Sequence, residues 1–203
     1  MKKDNRNLII SIIAVSLIII LAGGGTYAWL TWRSANNTVV NITVAGGTLT
    51  LDGGGNITSG KTIAPTDQCN HSTYGIKRTI KASATNATTT DMVAYVQLDP
   101  STLPSAYVNA NVKWVLGTSS SSCTSNIVAN GDFSTVTQGT KFTLTTFDVP
   151  AQTTTAISKT YYLYIWVGEG YSIENVGNTV TNSIQDKSFT LKLTGEITNN
   201  PDA

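Results

Sequence analysis

The stretch TYYLYIWV at residues 160–167 is the most hydrophobic segment that follows the N-terminal region of the chain. In an extended conformation successive side chains point to opposite faces. Both faces are apolar here, with Tyr161, Leu163, Ile165 and Val167 on one and Tyr162, Tyr164 and Trp166 on the other. A short run that is apolar on both faces is typical of a buried strand. The stretch therefore predicts a strand at the centre of a β-sheet.

Segments on either side of this stretch also have the composition of strands, because they alternate or are rich in β-branched residues. They are residues 38–44, 48–51, 75–85, 92–98, 111–116, 141–149 and 188–198. A change of face near Phe147 predicts a β-bulge in the segment 141–149. Residues 53–56 predict a turn, residues 150–158 a threonine-rich loop, and residues 168–186 a long polar excursion. About eight short strands without helical periodicity predict an all-β fold, an antiparallel sandwich or barrel.

The N-terminal region has the anatomy of an export segment. Lys2, Lys3 and Arg6 precede a run without charges at residues 8–30. The small residues near its end predict a signal peptide that is cleaved between Ala28 and Trp29. The run is also long enough for an uncleaved membrane anchor helix. Both alternatives place the rest of the chain outside the cytoplasmic membrane. The predicted organisation is a signal or anchor at residues 1–28, a linker at residues 29–37 and a β-sandwich domain at residues 38–203.

The composition of the chain disfavours several classes of function. Charged residues make up 12% of the chain and the formal net charge is +1, which disfavours a nucleic-acid-binding surface. Cys69 and Cys123 lie in polar surroundings that are typical of loops, and in an exported chain they predict a disulfide, with two free thiols as the alternative. His71 is the only histidine, so neither a zinc site of the usual kind nor a catalytic triad is expected. We expect no enzymatic activity and no cofactor.

The aromatic row Tyr162, Tyr164 and Trp166 has two interpretations. Exposed aromatic side chains on a sandwich can bind sugars, and these three would share one face of a strand. Alternatively, they form the second core face or pack under the polar excursion at residues 168–186, and this is the interpretation that we favour.

Two short motifs resemble the TasA/camelysin family of exported proteins. They are LAGGGTYAWL at residues 21–30, in which a Gly-Gly-Gly-Thr-aromatic-Ala signal segment ends at Ala28, and AGGTLTL at residues 45–51. The turn that contains Pro65 and the alternating strand at residues 189–197 also fit. The resemblance implies a jelly-roll β-sandwich, cleavage by a dedicated signal peptidase, and assembly into extracellular fibres of a biofilm matrix. In such fibres an N-terminal segment of one subunit adds as a strand to the next.

The segment that follows the cleavage point has the properties of such a donor strand, because it is extended, lacks proline and carries apolar groups. The candidate donor residues are Trp29, Trp32, Thr38, Val39, Val40, Ile42 and Val44. Alternatively, residues 38–44 are an edge strand of their own sandwich, and the two tryptophans are anchors at a membrane surface.

These observations predict an exported structural protein of the cell surface or extracellular matrix. Its expected partners are other copies of itself or other surface and matrix components, with a membrane contact through the N-terminal segment and no nucleic acid. The alternative is a membrane-tethered surface sandwich that binds a glycan or a protein without polymerising.

Overall fold

The structure, a computed structural model, describes residues 38–44, 46–58, 65–67, 69, 74–168, 184 and 187–199. The predicted signal or anchor helix, its cleavage point Ala28–Trp29 and the linker lie outside these residues. The described residues form a single turn of 3₁₀ helix, Ser105–Tyr107, and nine strands. The strands are β1 Thr38–Val44, β2 Gly47–Thr58, β3 Ile76–Asn86, β4 Met92–Thr102, β5 Val112–Gly117, β6 Ile127–Asp132, β7 Phe142–Val149, β8 Thr153–Val167 and β9 Thr190–Asn199.

All pairings between these strands are antiparallel, which confirms the predicted all-β antiparallel class. The strand order is β6-β5-β8-β3-β2-β9-β4-β7, and β1 pairs with β2 beside this path. The first half of β2 pairs with β3, whereas its second half pairs with β9. The sheet therefore folds over at β2 into two facing layers, and it nearly closes on itself. β8 lies between β3 and β5, inside a layer, as the sequence predicts.

The bend in β2 occurs at glycines for which the sequence predicts a turn, and that prediction is wrong. Gly53 and Gly55 have φ values of +85° and +84°, a region that glycine enters without steric cost. A Cβ atom on Gly53 would lie 2.1 Å from the carbonyl oxygen of Thr79 on the neighbouring strand. The chain stays paired on both sides of these glycines, so β2 continues through them as a bulged strand and changes layers.

The core lies between the two layers and is filled by the inward-facing residues of each strand. Leu49 and Leu51 of β2 are fully buried, as are Leu163, Ile165 and Val167 of β8. An aromatic cluster closes the core near the 3₁₀ turn, where the rings of Tyr107 and Phe189 meet edge to face at 5.0 Å and those of Phe133 and Phe189 lie 6.1 Å apart. Edge-to-face contacts of this kind add to the stability that area burial alone supplies.

The strand boundaries differ from the sequence prediction in three places. β8 begins at Thr153 inside the predicted threonine-rich loop, because its polar first half pairs with β3. β4 continues to Thr102, past the predicted end of the segment at residue 98. β6 has no counterpart in the sequence prediction, and it pairs with β5. The predicted bulge in residues 141–149 is confirmed, because Leu144 is skipped between the paired residues Thr143 and Thr145.

Candidate functional site: edge strands and the covered aromatic face

β1 is an edge strand of its own chain. It pairs with β2 from Thr38 opposite Gly54 to Val44 opposite Gly47, and no described strand pairs with its other edge. Val40 and Ile42 are half-buried and pack against the core. This arrangement agrees with the edge-strand alternative for residues 38–44. Trp29 and Trp32 lie outside the described residues, and strand donation stays a prediction.

β1 presents apolar side chains to solvent. Val39 is 53% exposed and Val44 is 42% exposed. The strand carries no charged residue and no proline, and the irregularity in its pairing with β2 arises from an extra residue in β2. Natural edge strands are normally protected from association by charges, proline or bulges. β1 lacks these protections.

The two other edge strands are better protected. β6 has its extra residue at Val128 and ends at the charged Asp132. β7 has its bulge at Leu144 and carries Asp148. Bulges twist an edge out of line and charges oppose its burial, so both features disfavour pairing with another chain. β1 is therefore better suited to a contact between chains than the bulged and charged edges of β6 and β7.

The predicted aromatic row on β8 is covered. Tyr164 is fully buried, and Tyr162 and Trp166 are half-buried around it. Cys69 and Cys123 pack on Tyr164, so the three aromatic residues form a small second core outside the main sheet. This arrangement places the Tyr164 ring out of reach of a ligand at the surface. A binding role for the partly exposed Tyr162 and Trp166 stays a prediction.

Polar contacts hold the loop between β5 and β6, residues 118–126, against the aromatic row. The Tyr164 hydroxyl donates a hydrogen bond to the carbonyl oxygen of Ser119 at 3.0 Å. The Lys77 ammonium donates to the carbonyl oxygen of Ser120 and lies 5.5 Å and 5.7 Å from the ring centroids of Tyr162 and Tyr164. Burial raises the pKa of the Tyr164 phenol, and the neighbouring Tyr162 phenol raises it further. Tyr164 therefore remains a neutral hydrogen-bond donor throughout the physiological pH range.

The predicted disulfide between Cys69 and Cys123 is confirmed. It joins residues that are 54 positions apart, with Cα atoms at 6.3 Å. Structural disulfides persist in oxidising compartments and are rare in reducing ones. The bond therefore indicates that this domain works in a non-reducing environment.

A cleft between the end of β6 and the start of β7 was not anticipated from the sequence. It has a volume of about 480 Å³. Trp114 of β5 and Phe142 of β7 contribute its aromatic walls, with ring centroids 5.9 Å apart. The polar side chains Asp132, Ser134 and Lys141 lie at its rim. Nine of the ten lining residues lie within residues 131–142 and the tenth is Trp114. This stretch has no alternation of side chains that predicts a cleft.

The described residues contain no group of three or more histidine, cysteine, aspartate or glutamate side chains that is arranged to hold a metal ion. No helix in this part of the chain has the length and hydrophobicity that crossing a bilayer requires. Comparison with known proteins gave no match to a family model, to a curated protein or to a solved structure.

Proposed function

We propose that this chain is an exported structural protein of the cell surface or extracellular matrix, and that its subunits associate through the N-terminal strand β1. The observation that carries the proposal is the edge of β1, which is uncharged, lacks a bulge of its own and exposes Val39 and Val44. An edge of this kind is a template for pairing with another chain. The disulfide supports export, because such bonds belong to non-reducing compartments.

The fold is, on the same proposal, a jelly roll of the TasA/camelysin type. The strand pairing supports it, because the eight strands other than β1 form two antiparallel layers, β2-β9-β4-β7 and β2-β3-β8-β5-β6, which share β2. A jelly roll is likewise built from eight antiparallel strands in two sheets. β1 is then an additional N-terminal strand on the edge of β2.

The proposed mode of assembly is donation of β1 to the next subunit. Val44 pairs with Gly47, so only residues 45 and 46 connect β1 to β2. If these two residues extend, β1 leaves its own β2 and takes the same place on the β2 of a neighbour. The contacts of Val40 and Ile42 are then made again between chains, so little contact energy is lost. When each subunit gives its strand to one neighbour and receives a strand from another, the interaction is head-to-tail and open-ended, whereas reciprocal exchange between two subunits would close a dimer.

Cysteine pairing between chains tests this mode directly. Thr43 of β1 lies opposite Thr48 of β2. A Thr43→Cys chain is mixed with a Thr48→Cys chain, assembled and oxidised. Donation predicts a disulfide-linked dimer of the two variants on a non-reducing gel. The matched control mixes Thr43→Cys with Thr146→Cys, whose exposed site on β7 is not paired with β1, and should give no such dimer.

A deletion tests the wider proposal of self-association. Removal of residues 29–44 should abolish filaments in negative-stain electron microscopy. Filaments that persist without this segment would overturn assembly through β1. Filaments that require it, but give no Thr43–Thr48 cross-link, would retain the role of β1 in association and exclude donation.

A further inference from the structure

The cleft between β6 and β7 lies in a different part of the molecule from β1. Its walls come from β5, from the end of β6, and from the segment that leads into β7. Its volume of about 480 Å³ falls within the range of small-molecule sites, which is roughly 300–1,000 Å³. No lining residue belongs to β1, so binding of a ligand in the cleft would not require the proposed assembly.

The inner wall of the cleft is aromatic and depends on a glycine. Trp114 and Phe142 meet at 5.9 Å with their planes inclined by 43°. Gly131 lies against the indole of Trp114, and a Cβ atom at this position would be 2.9 Å from its Nε1 atom. Phe142 is held from behind by Phe133, with ring centroids 6.3 Å apart. The two rings are therefore fixed, and the missing side chain at Gly131 keeps the space beside them open.

The rim of the cleft offers hydrogen bonds at fixed positions. The backbone N–H and the hydroxyl of Ser134 both donate to Oδ1 of Asp132, at 2.8 Å and 2.5 Å. These bonds hold the carboxylate in place, and its second oxygen can accept a hydrogen bond from a ligand hydroxyl. Serine and threonine hydroxyls supply most of the remaining polar lining. Each hydroxyl can both donate and accept.

The charges at the rim do not favour an ionic ligand. Asp132 and Lys141 supply one negative and one positive charge among the lining residues. An anion would meet the carboxylate, and a cation would meet the ammonium group. The remaining lining consists of two aromatic residues, four serine and threonine residues, Gly131 and Val136. A neutral ligand that combines an apolar face with many hydroxyl groups matches this lining, because aromatic faces carry negative electrostatic potential and attract polarised C–H groups.

We propose that this cleft binds a neutral saccharide, whose ring packs on Phe142 and the edge of Trp114 while its hydroxyls bond to Asp132 and Ser134. A peptide strand is a poorer match, because the cleft is lined by side-chain hydroxyls and aromatic rings.

Affinity electrophoresis of the full-length chain tests the proposal, in a detergent that has no sugar headgroup. The probes are three neutral polysaccharides (a soluble β-1,3-glucan, a xylan and dextran) and the anionic polygalacturonate. We expect slowed migration in at least one neutral gel and unchanged migration in polygalacturonate. Unchanged migration in all three neutral gels, or slowed migration in polygalacturonate alone, would overturn the proposal.

Single substitutions test whether the saccharide binds in the cleft. Phe142→Leu keeps an apolar contact with Phe133 but removes the flat ring, and should weaken binding by up to about tenfold. Ser134→Ala removes one donor to Asp132 at an exposed position and should also weaken binding. Asn130→Ala, at an exposed site on β6 outside the lining, is the matched control and should bind normally. If Phe142→Leu is misfolded by circular dichroism, Ser134→Ala decides. Binding that is unchanged in Ser134→Ala, or equally weakened in Asn130→Ala, would contradict this location.

Discussion

The hydroxyl of Tyr164 donates a hydrogen bond across 3.0 Å to the carbonyl oxygen of Ser119, which is 45 positions away in the chain. The bond lies beside the Cys69–Cys123 disulfide, whose sulfur-bearing side chains cover the same tyrosine. The outer face of β8 is thereby converted from a surface into a second small core. Its stability depends on the disulfide and on the segment between β5 and β6 that carries Ser119 and Cys123.

Removal of the disulfide should therefore destabilise the domain and uncover Tyr164. The bond joins residues that are 54 positions apart, and closure of a loop of this size contributes about 4 kcal/mol in the chain-entropy model. We expect Cys69→Ala with Cys123→Ala to lower the free energy of unfolding in guanidinium by up to this amount. Ultraviolet difference spectroscopy should also show a tyrosine newly exposed to solvent.

The wild-type protein under reducing conditions is the matched comparison for that double variant. Reduction should reproduce both effects, and it should leave the double variant unchanged. An equal effect of reductant on both proteins would show that the disulfide is not the cause.

A second prediction concerns Asn86, which is fully buried at the end of β3. Its amide nitrogen donates to the carbonyl oxygens of Thr90 and Val149, at 2.8 Å and 3.1 Å, and its oxygen accepts from the N–H and hydroxyl of Thr88. Asn86→Ala removes the buried bond to the Val149 carbonyl oxygen and the acceptor of the Thr88 N–H, whereas the Thr90 carbonyl oxygen keeps the Thr88 hydroxyl as a donor. We expect it to lower the free energy of unfolding by about 3 kcal/mol, since each unsatisfied buried group costs about 1–3 kcal/mol.

The stability of an Asn86→Asp variant should depend on pH. At neutral pH a carboxylate oxygen would face the carbonyl oxygens of Thr90 and Val149, so this variant should be less stable than Asn86→Ala. This environment favours the protonated acid and raises its pKa. Stability should therefore recover as the pH falls and the carboxyl becomes a donor. Asn130→Asp, at an exposed site on β6, should show no comparable recovery.

A third prediction compares two effects of replacing a glycine with alanine: the unfavourable backbone conformation and the steric clash of the added Cβ atom. Gly53 and Gly139 have similar φ values, +85° and +78°. A Cβ atom on Gly139 would have no neighbour within 4 Å, whereas one on Gly53 would lie 2.1 Å from the Thr79 carbonyl oxygen. Gly139→Ala should cost only the unfavourable backbone conformation, about 1 kcal/mol. Gly53→Ala should cost considerably more, because the β2–β3 pairing must also move. Equal losses in thermal unfolding would contradict this account of the bend.

The fourth prediction concerns the carboxyl group of Asp132. The two hydrogen bonds from Ser134 hold its pKa below the usual value, with a smaller contribution from the charge of Lys113. Ser134→Ala removes the hydroxyl bond, so the pKa of Asp132 should rise towards its ordinary value. Carboxyl-carbon NMR during an acid titration measures this shift.

The lowered pKa of Asp132 also makes its contribution to the stability of the fold depend on pH. Because the pKa of Asp132 is lower in the folded protein, its contribution to stability is present above its ordinary pKa and is lost as the pH falls through the folded-state value. Ser134→Ala should reduce this contribution at neutral pH and leave stability at very low pH almost unaffected. If Ser134→Ala lowers the stability equally at neutral and at very low pH, the loss comes from altered packing and not from the bond to the Asp132 carboxylate.

Several features of the fold could be predicted from the sequence because they depend on local pattern. The alternation of side chains in residues 160–167 predicted a central strand, and β8 lies between β3 and β5. The change of face near Phe147 predicted the bulge, which occurs at Leu144. The two cysteines in an otherwise export-like chain predicted the disulfide. Each of these predictions needed only a few neighbouring residues, or the number of cysteines.

Other features depend on contacts between segments that are far apart in the chain. The sequence shows that Tyr164 is on the second face of β8, but only the folded positions of Cys69 and Cys123 decide that this face is covered. The glycines of β2 resemble a turn locally, and they remain a strand because β3 and β9 pair on either side of them. The cleft exists because β5, β6 and β7 bring Trp114, Asp132 and Phe142 together. Sequence alternation assigns side chains to faces, whereas burial and cleft formation depend on which distant segment packs against each face, and that is decided by the tertiary structure.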